Sequence, residues 1–189
     1  MKKIVIFASG SGTNAENIIK YFGNKDCGTV VVVFTNSPNA KVIERAKNLQ
    51  VPTEIFSKEE LYEGKVLQKL NSFEPDWIVL AGFLLKLPEN IIKQYPNKII
   101  NIHPALLPKY GGKGMYGMNV HKAVVENHEK ETGITIHFVN ENYDEGNIIF
   151  QKSVNLTGTE TPEIVAEKIH ELEQRYFPEV IEKLLTSNF

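Results

Sequence analysis

Short apolar runs rich in β-branched residues recur at 3–8, 30–34, 77–81 and 98–102, and the stretches 14–22, 40–49, 58–73 and 89–95 repeat their apolar residues at helical spacing. Runs with almost no polar interruption belong to strands covered on both faces, as in a parallel sheet lying between helices. Strand then helix, repeated, predicts right-handed crossovers and a doubly wound α/β fold. Residues 53–56 read as a further short strand. After Pro108 the pattern changes. A glycine-rich stretch, 111–117, leads to a helix near 119–127. Ile134, Ile136 and Phe138 then alternate with Thr135 and His137, and 147–154 follows after a short turn, which predicts an antiparallel hairpin added to the parallel part. A last helix is expected from about 161 to 185, opened by Thr161 and Pro162. The expected architecture is α/β: a single-domain, doubly wound, mostly parallel Rossmann-like sheet with an added antiparallel hairpin and a C-terminal helix. The single domain spans 1–189, with a phosphate- and nucleotide-binding half, 1–100, and a catalytic half, 101–189.

Composition removes several classes of function. The 189 residues suffice for one domain with a sizeable core. Lys and Arg total 21 against 23 for Asp and Glu, a net charge of -2 dispersed along the chain, so no nucleic-acid partner is expected. Lys2 and Lys3 precede an apolar run too short for a secretion signal or a membrane span, which predicts a cytoplasmic protein with no membrane partner. Cys27 is the only cysteine, so neither a disulfide framework nor a cysteine metal site is available. His121, His128, His137 and His170 are scattered without metal-ligand spacing, and no metal is expected. His128 and His170 read as structural, and His137, in the alternating strand, as surface or hairpin lining. His121 begins a helix directly after the loop that follows His103.

Two segments carry chemistry. Asn101 and His103 stand two apart at the end of an apolar run, so on a strand both side chains leave the same face. An amide donor suits a developing oxyanion, an imidazole moves protons near neutral pH, and a carboxylate brought beside it, Asp144, would favour the charged imidazole. Together they suit acyl-group transfer at the carboxyl end of a parallel strand, where open α/β sheets place their ligands. The second segment, Ser9-Gly10-Ser11-Gly12-Thr13-Asn14, follows the first strand and opens the first helix. Gly10, Ser11, Gly12, Thr13 and Asn14 offer backbone N–H groups and hydroxyls to a phosphate; the alternative is a tight turn. Gly10, Gly12 and Ala15 also satisfy a relaxed dinucleotide fingerprint, but the second strand ends in Phe34-Thr35-Asn36-Ser37 without the acid such a site needs.

Taken together, the 9–14 loop, Leu80-Ala81-Gly82-Phe83, the block from Asn101 through Pro108 to Tyr110, His137-Phe138-Val139 and Asp144-Glu145-Gly146 resemble the phosphoribosylglycinamide formyltransferase family over essentially the whole chain. The resemblance implies the formyltransferase fold and formyl transfer from 10-formyltetrahydrofolate, a cosubstrate, to the amine of 5'-phosphoribosylglycinamide. It implies Asn101, His103 and Asp144 as catalytic residues, Gly12, Thr13 and Asn14 on the phosphate, and Glu173 at the glycinamide part. Leu84, Leu85, Lys86 and Leu87, with Asn101 and the loop Asn140, Glu141, Asn142, Tyr143 and Asp144, would form the folate pocket. A monomer or weak homodimer acting on small molecules is expected, and 189 residues leave no room for the extra domains of the tRNA-directed and hydrolytic relatives. Two departures stand out: Lys86 is displaced one position from the usual Arg, and the helix near Lys58 has no arginine for the folate's glutamate tail. The 111–118 loop is longer than the shortest family pattern, as a lid or as a variable surface loop. Two rival readings remain: a formyltransferase acting on another amine, such as an amino sugar nucleotide, and a non-catalytic nucleotide-binding module.

Overall fold

The computed structural model describes residues 1–187. In chain order the elements are β1 (Lys2–Phe7), α1 (Thr13–Phe22), β2 (Gly28–Thr35), α2 (Lys41–Asn48), β3 (Thr53–Ile55), α3 (Lys58–Tyr62), α4 (Lys65–Phe73), β4 (Trp77–Leu80), α5 (Glu89–Gln94), β5 (Ile99–His103), α6 (Met118–Glu126), β6 (Glu131–Phe138), β7 (Ile148–Asn155) and α7 (Pro162–Thr186). The strand order is β3-β2-β1-β4-β5-β6-β7. The chain divides into two compact units, one of Met1–Ile100 with the chain from Pro178 onward, the other of Asn101–Phe177. Among the described residues, no helix is long and apolar enough to cross a membrane.

In the first unit β1 runs parallel to β2 on one side and to β4 on the other, with Phe7 opposite Phe34 and Leu80. β2 in turn pairs in parallel with β3. The order therefore reverses at β1, the switch point that doubly wound sheets use for ligands. Ile4 through Ala8 are fully buried, as their uninterrupted apolar run requires. α1 lays Ala15, Ile18, Ile19 and Phe22 against the core, positions spaced three, four and seven apart. At the carboxyl ends of β1 and β2 the Phe7 ring stacks on Phe34 at 5.0 Å and meets Phe56 and Phe83 edge-on at 6.0 and 5.3 Å. Burying each such ring stabilises by roughly 1.5–3 kcal/mol, which anchors the strand end from which the next loop departs.

The single helix expected over 58–73 is two helices. α3 starts with a capping box, Ser57 accepting from the Glu60 N–H while the Glu60 carboxylate accepts from the Ser57 N–H, and α4 starts after Gly64 at φ 87. A left-handed residue cannot continue a right-handed helix, and glycine adopts that conformation without steric cost. The other helical and strand segments lie where the apolar pattern puts them, to within two or three residues at each end.

The second unit holds the end of β5, α6, the β6–β7 hairpin and most of α7. β6 and β7 pair antiparallel from Glu131 opposite Asn155 to His137 opposite Ile148, with an irregularity between Ile136 and His137. Bulges of this kind re-aim the side chain beside them. Gly146 allows the loop after β6 to fold back, since a Cβ there would overlap the Phe138 carbonyl. β6 is buried on both faces from Thr132 to His137, so its polar face is internal. Thr135 satisfies itself there: its hydroxyl donates to the Ala105 carbonyl at 2.7 Å and accepts from the Leu107 N–H at 3.0 Å and Gln151 Nε2 at 2.9 Å. These bonds tie the segment after His103 to β6, as a buried hydroxyl needs partners.

Candidate active site

Asn101 and His103 leave β5 on one face, and the second unit brings two more polar side chains to them. Asn101 Nδ2 donates to His137 Nε2 at 3.1 Å. His137 Nδ1 lies 2.8 Å from the Phe138 carbonyl, which only accepts, so Nδ1 carries the proton and neutral Nε2 is the acceptor that holds the Asn101 amide. By the same logic His103 Nε2, 2.7 Å from the Tyr110 carbonyl, carries a proton. Its Nδ1 therefore remains as the atom that gains and loses one.

Asp144 faces both imidazoles. Its Oδ2 is 3.6 Å from His103 Nδ1 and its Oδ1 is 3.6 Å from His137 Nε2. Oδ2 also accepts the Gly112 N–H at 2.9 Å. Asp144 adopts φ 55, a left-handed conformation that Asp and Asn tolerate better than other side chains. Asn101 and His103, which spacing sets on one face, and Asp144 from the downstream Asp-Glu-Gly segment thus stand together around His137. Of the two places open to His137 from its alternating strand, surface or hairpin lining, the surface is excluded: it is 2% exposed and joins Asn101 to Asp144. One signal could have found it: the polar face of β6, Gly133, Thr135 and His137, carries no charge, as a solvated face ordinarily would.

The electrostatics correct a second expectation. Burial, with His103 only 4% exposed, pulls its imidazole below the ordinary value, more than the Asp144 charge and the Tyr110 carbonyl lift it. Asp144 therefore does not keep His103 charged at rest. The carboxyl itself is pushed up by burial, yet the His137 and His103 rings, once their facing nitrogens carry a proton, and the Gly112 N–H outweigh that and hold it below the usual range. The cluster at rest is an ionised carboxylate beside an imidazole poised to take a proton. His121, on α6, is also buried, with its imidazole pulled down by burial and its Nδ1 without a hydrogen-bond partner among the described residues. Glu173, on α7, lies 3.8 Å from His170 Nδ1, which it lifts above its ordinary value, and its charge acts on both His103 and His121. His170 is thus paired with an acid.

The remaining residues singled out by sequence lie as follows. Gly10, Ser11, Gly12, Thr13 and Asn14 occupy the loop from β1 into α1, in the first unit. Gly12 is the N-cap at φ 73, with no side chain capping the helix start. The loop is held from behind: Ser9 Oγ donates to Asn36 Oδ1 at 2.6 Å and accepts the Leu84 N–H at 3.0 Å, the Gly10 carbonyl accepts from Val42 N–H at 3.2 Å, and Arg45 Nε donates to the Ser11 carbonyl at 2.8 Å. Arg45 also pairs with Glu16. In the segment between β4 and α5, Leu84 and Lys86 are exposed, Leu85 half-buried and Leu87 buried, and the Lys86 carbonyl accepts from the Tyr62 hydroxyl at 3.0 Å. In the turn between β6 and β7, Glu141, Asn142 and Tyr143 are exposed, and the Asn142 N–H donates to Asn140 Oδ1 at 2.9 Å. Among the described residues no cluster of three or more His, Cys, Asp or Glu could hold a metal ion.

The family described as formyl transferase matches residues 2–181. A Bacillus subtilis protein named phosphoribosylglycinamide formyltransferase is 37% identical over 196 aligned positions, covering 100% of this chain and 97% of its own length. An Arabidopsis thaliana protein named phosphoribosylglycinamide formyltransferase, chloroplastic, is 37% identical over 187 positions and 95% of this chain. The chain spans only 64% of that relative's length. Among solved structures, that of phosphoribosylglycinamide formyltransferase from Bacillus halodurans superposes with a TM-score of 0.89 at 36% identity, over 100% of this chain and 97% of that one.

Proposed function

Because the chain belongs to the formyl transferase family, we propose that it transfers the formyl group of 10-formyltetrahydrofolate to the amine of 5'-phosphoribosylglycinamide, giving formylglycinamide ribonucleotide and tetrahydrofolate in de novo purine biosynthesis. The names carried by its near-full-length relatives support that substrate pair over an amino sugar nucleotide. The observation that carries the chemistry is the meeting of Asn101, His103 and Asp144 in one unit, with Asp144 Oδ2 3.6 Å from the one nitrogen of His103 free to exchange a proton.

In this reading the amine lone pair forms the new bond to the formyl carbon, and the carbonyl electron pair moves onto oxygen, where an Asn101 N–H donates to it. The proton of the new ammonium passes to His103 Nδ1, directly or through a water ordered by Asp144. It then goes to N10 of the folate as the carbon–N10 bond breaks and the carbonyl reforms. The neutral resting imidazole suits this order, since a group already protonated could not accept the amine's proton. Asp144 stabilises the imidazolium while it exists, and His137 keeps the Asn101 amide facing the reaction. Gly10, Ser11, Gly12, Thr13 and Asn14 bind the ribonucleotide phosphate at the start of α1, and Glu173 meets the glycinamide part. The 84–87 segment and the 140–144 turn hold the pterin. No step calls on a metal, a nucleic acid or a membrane, and the protein works in the cytoplasm as one domain, as a monomer or weak homodimer.

Tetrahydrofolate release measured with 5'-phosphoribosylglycinamide and, separately, with an amino sugar nucleotide tests the substrate assignment. Turnover with the first at least a hundredfold above the second is expected. Comparable turnover with both would overturn it.

A further inference from the structure

The segment 110–112 touches both halves of the proton-transfer pair by its backbone alone. The Tyr110 carbonyl accepts from His103 Nε2 at 2.7 Å, and two residues on the Gly112 N–H donates to Asp144 Oδ2 at 2.9 Å. Any movement of this segment changes which way His103 Nδ1 faces and how far it lies from the carboxylate. Yet Tyr110 sits at φ 56, a conformation that side chains other than Asn and Asp avoid, so something outside the backbone has to keep it there.

That anchor is Glu129, in the turn between α6 and β6. The Tyr110 hydroxyl donates to Glu129 Oε1 at 2.8 Å, and Lys109 Nζ donates to both carboxylate oxygens at 3.0 and 3.3 Å. Glu129 is fixed in its turn, its N–H donating to the Val124 carbonyl at 3.2 Å. Burial and the carboxylate push the phenol up to about 12, so it remains a donor throughout the working range of pH. Lys109 and then Tyr110 hold the Glu129 carboxyl below the usual carboxylate range, so it remains an acceptor.

We propose that Glu129 is a positioning residue for formyl transfer: by holding the Tyr110 side chain it fixes the strained segment whose carbonyl and N–H orient His103 and Asp144. Glu129 acts through Tyr110 and reaches no reacting atom. The inference rests on His103 being the proton-transfer group.

Three variants test it in the full chain. Glu129→Ala and Tyr110→Phe both remove the side-chain tether and leave the Tyr110 carbonyl in place; Glu129→Gln keeps an oxygen for the phenol. With both substrates varied, the first two lower kcat roughly 10- to 100-fold, the cost of misplacing a reacting group by a fraction of an ångström to one ångström, with each KM within about twofold of wild type. Glu129→Gln restores most of the lost kcat. In histidine ¹⁵N spectra of the unliganded protein, His103 moves from a single Nε2-protonated tautomer to a mixture in the two damaged variants. Undiminished kcat in both, or a lowered kcat with the His103 tautomer unchanged, overturns the proposal. A changed tautomer with undiminished kcat also overturns it, and places the fault in the role given to His103 and not in the tether.

Discussion

Replacing Asp144 by Asn removes a charge while keeping the shape that its backbone demands. At 3.6 Å and an effective dielectric near 20, a carboxylate and an imidazolium attract by about 4–5 kcal/mol. That attraction is absent at rest, because burial keeps His103 neutral, and appears only when Nδ1 takes the proton. An amide dipole recovers part of it, which leaves a loss of about 3–4 kcal/mol in the transition state, or about 100- to 1000-fold in kcat. Stability should respond differently. Asn tolerates φ 55 nearly as well as Asp and still offers an oxygen to the Gly112 N–H, so Asp144→Asn should unfold within about 1 kcal/mol of wild type. Asp144→Ala strands that N–H, at about 1–3 kcal/mol, and places an unsuited side chain in the left-handed region, at about 1–2 kcal/mol more. The sum lowers the melting temperature by roughly 5–15 °C for a chain of this size. Single-turnover transfer of ¹³C-labelled formyl and scanning calorimetry on the two variants read these separately. An Asn variant within fivefold of wild-type turnover would refute the electrostatic argument, and equal melting temperatures for Asn and Ala would refute the backbone one.

Further outcomes follow from the same geometry. Gly12→Ala would set a Cβ against Val42, down to its Cα at 2.7 Å, in a backbone held at φ 73; we expect a loss of about 2–4 kcal/mol and at least tenfold weaker ribonucleotide binding by calorimetry, with normal affinity contradicting the phosphate loop. His103 and His121 have folded values below the ordinary imidazole value, so the unfolded chain binds protons that the folded one refuses; their stabilisation is whole above about pH 6.5 and is lost as pH falls toward the depressed values. His170, raised by Glu173, runs the other way, contributing below its unfolded value and losing that as pH rises through its folded value. With two buried groups against one half-exposed, the urea midpoint should fall between pH 7.5 and 5.5, and a rising midpoint would contradict the burial argument. Glu160 accepts the Thr157 and Gly158 N–H groups and pairs with Lys168, so its carboxyl should titrate at about 2, and an NMR titration near 4.5 would show that those bonds do not persist in solution.

Much of this was legible in the residues. Uninterrupted apolar runs placed the parallel strands because burial on both faces leaves no room for polar residues, and a strand's period of two placed Asn101 and His103 on one face. Gly64 was not read as a helix break, because spacing alone does not tell whether a glycine inside a helical pattern adopts positive φ. His137 stays open between a surface place and a hairpin lining, because alternation with Ile134, Ile136 and Phe138 looks the same whether the polar face meets water or a second buried layer. The resting state of His103 lies beyond the residues alone for a related reason. A neighbouring acid is visible in sequence once two segments are thought to meet, whereas the depth of burial that outweighs it is a property of packing. The tether from Glu129 through the Tyr110 carbonyl was beyond reach, since it depends on a left-handed backbone at Tyr110.

The most direct test is a crystal structure with 5'-phosphoribosylglycinamide and an unreactive formyl-folate analogue bound together. The formyl oxygen is expected within about 3 Å of Asn101 Nδ2, and the amine within hydrogen-bond reach of His103 Nδ1, directly or across one water beside Asp144. A formyl carbon bound away from these side chains, with His103 Nδ1 turned from the amine, would contradict the mechanism.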